Sequence, residues 1–204
     1  MKTKLFLGGL LGLMMGLASV AVAAVQDPQQ MVRETGDRLL LELTKRKPEL
    51  EADPRRIYPL VEDYVLPYFD FRDMSQSALG RFWRDASELQ REGVTREFRE
   101  LLVRTYASAL LGYSGQQIEY LPMQLPEGAT KVMVPTRIAS AGAPPIPINY
   151  RLKFEDDKWM VYDVVIDGVS LIANYRGQFT AVVRRNGIDG LISTLASKNQ
   201  QIGQ

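Results

Sequence analysis

The side chains best placed to do chemistry in this chain are Tyr162 with Asp163, and Asp167, all within "WMVYDVVIDGVSLIANYRGQF" (159–179). A carboxylate buried beside a tyrosine in an apolar cavity is the pair with which ketosteroid isomerases move a proton. The plainer reading makes Asp163 a cross-strand partner for a basic residue such as Arg151, and Asp167 the strand-end turn before Gly168. Few other reactions remain open. The chain has no histidine and no cysteine, so no Ser-His-Asp triad, cysteine nucleophile, thiolate zinc site or histidine-held metal can be built. "GYSG" (112–115) has the wrong spacing for a nucleophile elbow and follows a helix instead of a strand, so it reads as a helix-ending glycine turn. No G-x-x-x-x-G-K-[ST] run is present to cradle phosphates, and "EDDK" (155–158) reads as a solvated hairpin turn, not a calcium loop.

The elements that must hold these residues follow from length and periodicity. A chain of 204 residues suits one domain with a real core. Its opening, "MKTKLFLGGLLGLMMGLASVAVAA", runs from Lys2 and Lys4 through an apolar stretch to Ala21 and Ala23. That order predicts a secretory signal peptide over residues 1–23, leaving residues 24–204 outside the cytoplasm. With 25 basic and 24 acidic side chains, the charge is close to balanced, which argues against a nucleic-acid partner bound through its phosphates. The clusters "KRK" (45–47) and "RR" (55–56 and 184–185) read as solvated surface.

Helical spacing runs first, over residues 29–113. Val32, Leu39, Leu40 and Leu43 share one side of an opening helix. Asp53 and Asp70 read as N-caps, and Gly80 as a stop. "SELQ" is a capping box, Ser87 with Gln90, opening the longest helix. The period then changes to two, predicting strands at 117–121, 131–140, 148–154 and 159–166. Pro135 marks an edge position or a bulge, and "AGAPPIP" reads as a break. A three-residue "EDD" turn with Asp157 left-handed would put Met160, Tyr162, Val164 and Ile166 on the face of Ile148, Tyr150, Leu152 and Phe154. Ser170 caps a helix, and a last helix follows "RNG", so C-terminal helices span 170–200. The class is α+β, a twisted antiparallel sheet of about four strands with helices packed against it. The strand from Trp159 is apolar on both faces, and a solid core explains that as well as a cavity does.

Four blocks carry a resemblance. "VYDVVIDGVSLIANYRGQF" is similar to the signature of the MlaC family of periplasmic phospholipid-binding proteins, also called toluene-tolerance auxiliary proteins. So are "LPYFDFRDMSQSALGRFWR" (66–84), "FRELLVRTYASAL" (98–110) and "NGIDGL". Two positions depart from the pattern: Val94 stands where an aromatic is expected, and Asp157 where glycine is usual. The resemblance implies a soluble periplasmic carrier that takes phospholipid between an outer-membrane Mla lipoprotein complex and the MCE-domain subunit of an inner-membrane ABC transporter. It implies an apolar cavity between sheet and helices, and no enzymatic step or cofactor. Carrying a two-chain lipid through water exposes about thirty methylenes at about 0.8 kcal/mol each, so the chains must be enclosed.

The candidate lining on that reading takes Ile148, Tyr150 and Leu152 from one strand and Tyr162, Val164 and Ile166 from the next. Leu102, Tyr106 and Leu110 come from the long helix, and Val169, Ile172 and Tyr175 from the turn and helix that follow the sheet. Two other readings stay open: a periplasmic adaptor with a solid core and protein partners alone, and the isomerase-like enzyme using Asp163 with Tyr162.

Overall fold

The computed structural model describes residues 27–202, so the expected signal peptide over 1–23 lies outside the described residues. Seven α-helices flank a sheet there. Helix α1 (Pro28–Lys45) starts where Asp27 accepts from the Gln30 N–H at 3.0 Å, with Pro28 at its first position. After α2 (Lys47–Ala52), Asp53 caps a 3₁₀ turn that leads into α3 (Ile57–Tyr64). Asp70 accepts from the Asp73 N–H at 2.9 Å and opens α4 (Phe71–Leu79), which stops at Gly80. The short α5 (Phe82–Asp85) precedes α6 (Glu88–Leu110), whose Ser87–Gln90 capping box is formed in both directions. Helix α7 (Leu171–Ile202) begins with the Ala173 N–H donating to Ser170 Oγ at 3.0 Å. Gly187, at φ 71, breaks it in two at the expected "RNG". Among the described residues, no helix is long and apolar enough to cross a membrane.

The sheet is a meander of five antiparallel strands: β1 (Gln117–Tyr120), β2 (Lys131–Ser140), β3 (Ala143–Glu155), β4 (Lys158–Ile166) and β5 (Val169–Ser170). Periodicity predicts four of them; the fifth, two residues long, is too short to show a period. Strand β3 also starts earlier than its predicted 148, at Ala143. β4 ends at Ile166 opposite Ile148, so residues 143–147 pair with β2 alone. Prolines 144, 145 and 147 therefore have no second neighbour that needs their missing N–H.

The predicted register is half right, and a bulge is the reason. The β3–β4 turn holds two residues, Asp156 and Asp157, both with positive φ (50 and 60), and Glu155 pairs with Lys158. That shorter turn flips the start of β4. Phe154 faces with Trp159 and Leu152 with Val161, while Met160 turns to the opposite face. Tyr162 is then the extra residue of a bulge, after which Arg151 pairs with Asp163, Tyr150 with Val164 and Ile148 with Ile166. The face predicted for Val164 and Ile166 stands; those of Met160 and Tyr162 are corrected.

Three apolar clusters make up the core among the described residues. Phe98 of α6 meets Tyr175 and Phe179 of α7 edge-on, at 4.9 and 5.0 Å, in a helical core shared with α4. A second cluster lies on the inner sheet face, where Val134, Leu152, Val161 and Val164 meet Met31 and Val32 of α1. The third joins α1, α2 and α3 to Val103 and Ala107 of α6. Strand β4 is apolar on both faces because its inner side meets α1, while Val165 on the outer side is buried beside the start of α7.

An ion cluster holds the outer sheet face to α4. Lys153, 15% exposed, lies 2.9 Å from Asp70 and 3.1 Å from Asp73, with Glu155 also in contact. Burial works to raise the Asp70 pKa. The Asp73 N–H and the Lys153 ammonium outweigh it and leave that carboxyl below its usual value. A depressed carboxylate contributes stability that is present above its unfolded value, near 4, and lost as pH falls through the folded one. Lys153→Met is therefore expected to cost about 1–3 kcal/mol at pH 7 by leaving carboxylates unpaired. That gap should shrink below pH 4 in urea melts taken from pH 2.5 to 7. A gap of constant size would show that the cluster does not couple to protonation.

Candidate functional site

Asp163 is the most heavily partnered polar side chain on β4. It is 3% exposed. One oxygen accepts from Arg151 Nη1 at 3.0 Å and from Ser170 Oγ at 2.7 Å, and the other from the Ile172 N–H at 3.2 Å. The cross-strand reading of Asp163 is thus realised, and the carboxylate also closes the first turn of α7. The tyrosine expected to work beside it is drawn elsewhere. Tyr162 lies in the bulge with the Lys131 ammonium 5.6 Å over its ring. Asp167 occupies the β4–β5 turn at φ 49, its N–H donating to the Pro147 carbonyl. Among the described residues no cluster of acidic side chains could hold a metal ion.

The remaining candidates separate by environment. Leu152 and Val164 lie in the inner-face cluster, and Ile148, Tyr150 and Ile166 are half-buried against it. Leu110 is half-buried against the third cluster. Leu102, Ile172 and Tyr175 belong instead to the helical core. Val169 is 58% exposed and Tyr106 37%, so both sit at the surface.

The half-buried apolar residues form a pattern. On the sheet side they are Ile148, Tyr150 and Ile166, with Leu171 just beyond. Around the third cluster they are Leu39 and Leu40 of α1, Tyr64 at the end of α3, Val65 just after it, and Leu110 of α6. The inner-face and helical clusters are separately packed, and each is fringed by large apolar side chains that keep accessible surface. Tyr150 makes the point most sharply. Burial alone pushes its phenol up to about 12, yet the residue is not closed off from solvent. A cleft of about 50 Å³ lies between α6 and α7, lined by Tyr175, Phe179 and Leu191 among others. It is far below the roughly 300–1,000 Å³ of ordinary ligand pockets.

Helix α1 links the two clusters, although no residue of it is among the sequence candidates. Its first turns cover the sheet and its later turns join the helical cluster, so it spans the two. Gly36 makes the passage possible: a Cβ there would stand 2.6 Å from Tyr120 Oη. The Tyr120 hydroxyl donates to Asp37 at 2.9 Å, and the Arg33 guanidinium lies 4.1 Å over its ring. Burial first, then the Asp37 carboxylate, raises the Tyr120 pKa. A glycine in the middle of a predicted helix is the available signal for this close approach.

Comparison with known proteins places this architecture. Over 188 residues the chain is 25% identical to the intermembrane phospholipid transport system binding protein MlaC of Haemophilus influenzae, covering 91% of this chain and 88% of that one. It is 27% identical to the toluene tolerance protein ttg2D of Pseudomonas putida, covering 94% and 92% respectively. Among solved structures, the phospholipid-binding protein of Ralstonia solanacearum in complex with a phospholipid matches with a TM-score of 0.81 at 31% identity. The match covers 88% of this chain and all of that one. Because the MlaC protein family model also spans residues 33–197, most of the described chain, this protein belongs to the MlaC family.

Proposed function

We propose that this protein is a periplasmic phospholipid carrier, working between an outer-membrane Mla lipoprotein complex and the MCE-domain subunit of an inner-membrane ABC transporter. The observation that carries the reading is the phospholipid held by the Ralstonia solanacearum relative, whose whole length the fold matches. The fringe of half-buried apolar side chains between sheet and helices supports it. A solid-core adaptor would gain by closing that fringe, at about 25 cal/mol per Å² of apolar surface removed from water. In this reading the acyl chains lie against Ile148, Tyr150, Ile166 and Leu110, on the side reached by Leu39 and Leu40. Leu152 and Val164 form the floor beneath them. Leu102, Ile172 and Tyr175 support the wall from the helical core, and Tyr106 and Val169 are rim positions. The chain carries no nucleotide-binding motif, so the direction of transfer comes from its partners.

Native mass spectrometry of the protein, purified from periplasm without detergent, tests the reading. Phospholipid adducts at close to one per protein are expected, with lipid recovered on extraction. A protein that arrives empty and takes nothing from vesicles would be the adaptor instead.

A further inference from the structure

The tip of the β2–β3 hairpin is apolar and stands clear of the core. Residues 141–147, "AGAPPIP", are exposed one after another, and none carries a polar side chain. From residue 138 to residue 150 the chain has no charged side chain, and Arg137 and Arg151 bound the run. The β4–β5 turn lies against the hairpin, because the Asp167 N–H donates to the Pro147 carbonyl at 2.9 Å. Ile146 pairs with Ile138, and Ile148 with Ile166, which pairs in turn with Val169. These five share one face of the sheet. At its outer end Ile146 is 51% exposed and Val169 58%. Leu41 and Leu89 are exposed too, but each stands beside a glutamate, Glu42 or Glu88, as single surface leucines do. The hairpin end differs in being contiguous.

A lipid surface fits this end better than a protein strand does. A second chain adding a strand would need N–H groups along the open edge of β3, over residues 143–147. Pro144, Pro145 and Pro147 remove three of those five. The same loss suits lipid, where an unpaired N–H is costly to desolvate. The charges suit headgroups without net charge. Asp167 is the only charged side chain in residues 138–150 or 164–175, and an anionic surface would repel it. Arg137 and Arg151 point to the opposite face of the sheet and are each balanced by a carboxylate, Glu119 and Asp163. They lie where lipid phosphates would stand, with stems long enough to reach them.

We propose that the β2–β3 hairpin tip, with Val169 beside it, seats in the headgroup layer of a bilayer of zwitterionic lipid and holds the protein there by apolar contact. The seat is shallow, about 5–10 Å as for other interfacial elements, because Arg137 and Arg151 stay at its border. The inference stands apart from the carrier reading: it concerns a bilayer met from outside, not a lipid held within the protein.

Because the chain has no cysteine, one fluorescent label can be placed at will. Ala143→Cys carries a nitrobenzoxadiazole group on the tip. Leu89→Cys carries it on an exposed residue in the first turn of α6, about 30 Å along the helix from its last turn. Each labelled mature chain is mixed with phosphatidylcholine vesicles, and the fraction of protein floating with them is measured as well. The label at 143 is expected to brighten and shift to the blue, equally in low and high salt, while the label at 89 does not change. Ile146→Glu should lower the floating fraction about ten-fold at limiting lipid. Its urea midpoint and its retained phospholipid should match the native protein, because Ile146 is a surface residue. A label at 143 that vesicles leave unchanged overturns the proposal and leaves the carrier reading standing. So does a response confined to anionic vesicles and lost in salt, which is a charge contact made elsewhere. A response that arises without vesicles as the protein is concentrated assigns the tip to a second copy instead, and an equal response at both positions is adsorption without a seat. A protein that floats through its tip yet arrives without lipid keeps this inference and overturns the carrier reading. The two labels decide the matter even if Ile146→Glu fails to fold.

Discussion

Asp163→Ala is expected to lower the stability of the protein by about 2–4 kcal/mol, the largest loss for any one polar side chain. The Arg151 contribution is small, because its side chain is 44% exposed and its guanidinium returns to water. The Ile172 N–H and the Ser170 hydroxyl have no such exit. Ile172 is 4% exposed, so its N–H would be buried without an acceptor, at about 1–3 kcal/mol. Losing the carboxylate at the first turn of α7 adds about 1 kcal/mol. Urea melts would read this as a midpoint lowered by about 1–2 M, at slopes of about 2 kcal/mol per M. A shift below about 0.5 M would mean that the three contacts do not act as one tie. Asp163→Asn is expected to lie between, because one amide oxygen replaces two acceptor atoms. The experiment also bears on catalysis. A carboxylate that joins β4 to α7 predicts loss of fold when removed, whereas the isomerase reading predicts a folded protein without turnover.

Much of this arrangement is legible in the sequence where one local rule decides. Asp70, the Ser87–Gln90 box and Gly80 place helix ends through hydrogen bonds that span only a few residues. Period two places β2 at Lys131–Ser140 and brings Ile148, Tyr150, Leu152, Val164 and Ile166 to one face. The register near the hairpin is decidable too. Glycine is usual where Asp157 stands, and glycine second in a two-residue loop marks the turn with two positive φ values. The bulge at Tyr162 leaves no such mark, because it depends on how β4 meets α4 and α7. Long-range packing hides the rest. Leu102, Tyr106 and Leu110 follow one another at helical spacing on α6, yet they end in the helical core, at the surface and in the third cluster. One helix face passes three neighbours, and periodicity reports only that the face is apolar. For the same reason the residues of α1 read as plain core.

In the carrier reading, Ile148→Trp is expected to reduce phospholipid retention by more than ten-fold while the protein stays folded. The choice of residue matters. Val164 is 7% exposed within a packed cluster, and an indole there would displace neighbours at about 1–3 kcal/mol or more, confusing lost binding with lost fold. Ile148 is half-buried, directly opposite Ile166 on one side and Thr136 on the other. In the carrier reading its inward side meets an acyl chain. A ring placed there replaces chain contacts with its own, so the lipid-free protein loses little and the complex loses much. The lipid-free variant should match the native urea midpoint within about 0.5 M, because added apolar contact offsets local crowding. Native mass spectra of the variant from periplasm should then show fewer than about one lipid per ten proteins, the occupancy that a ten-fold loss leaves. Full occupancy in a folded variant would move the chains away from Ile148 and Ile166. The half-buried residues of α3 and α6, Tyr64 and Leu110, would then be the surface that holds them.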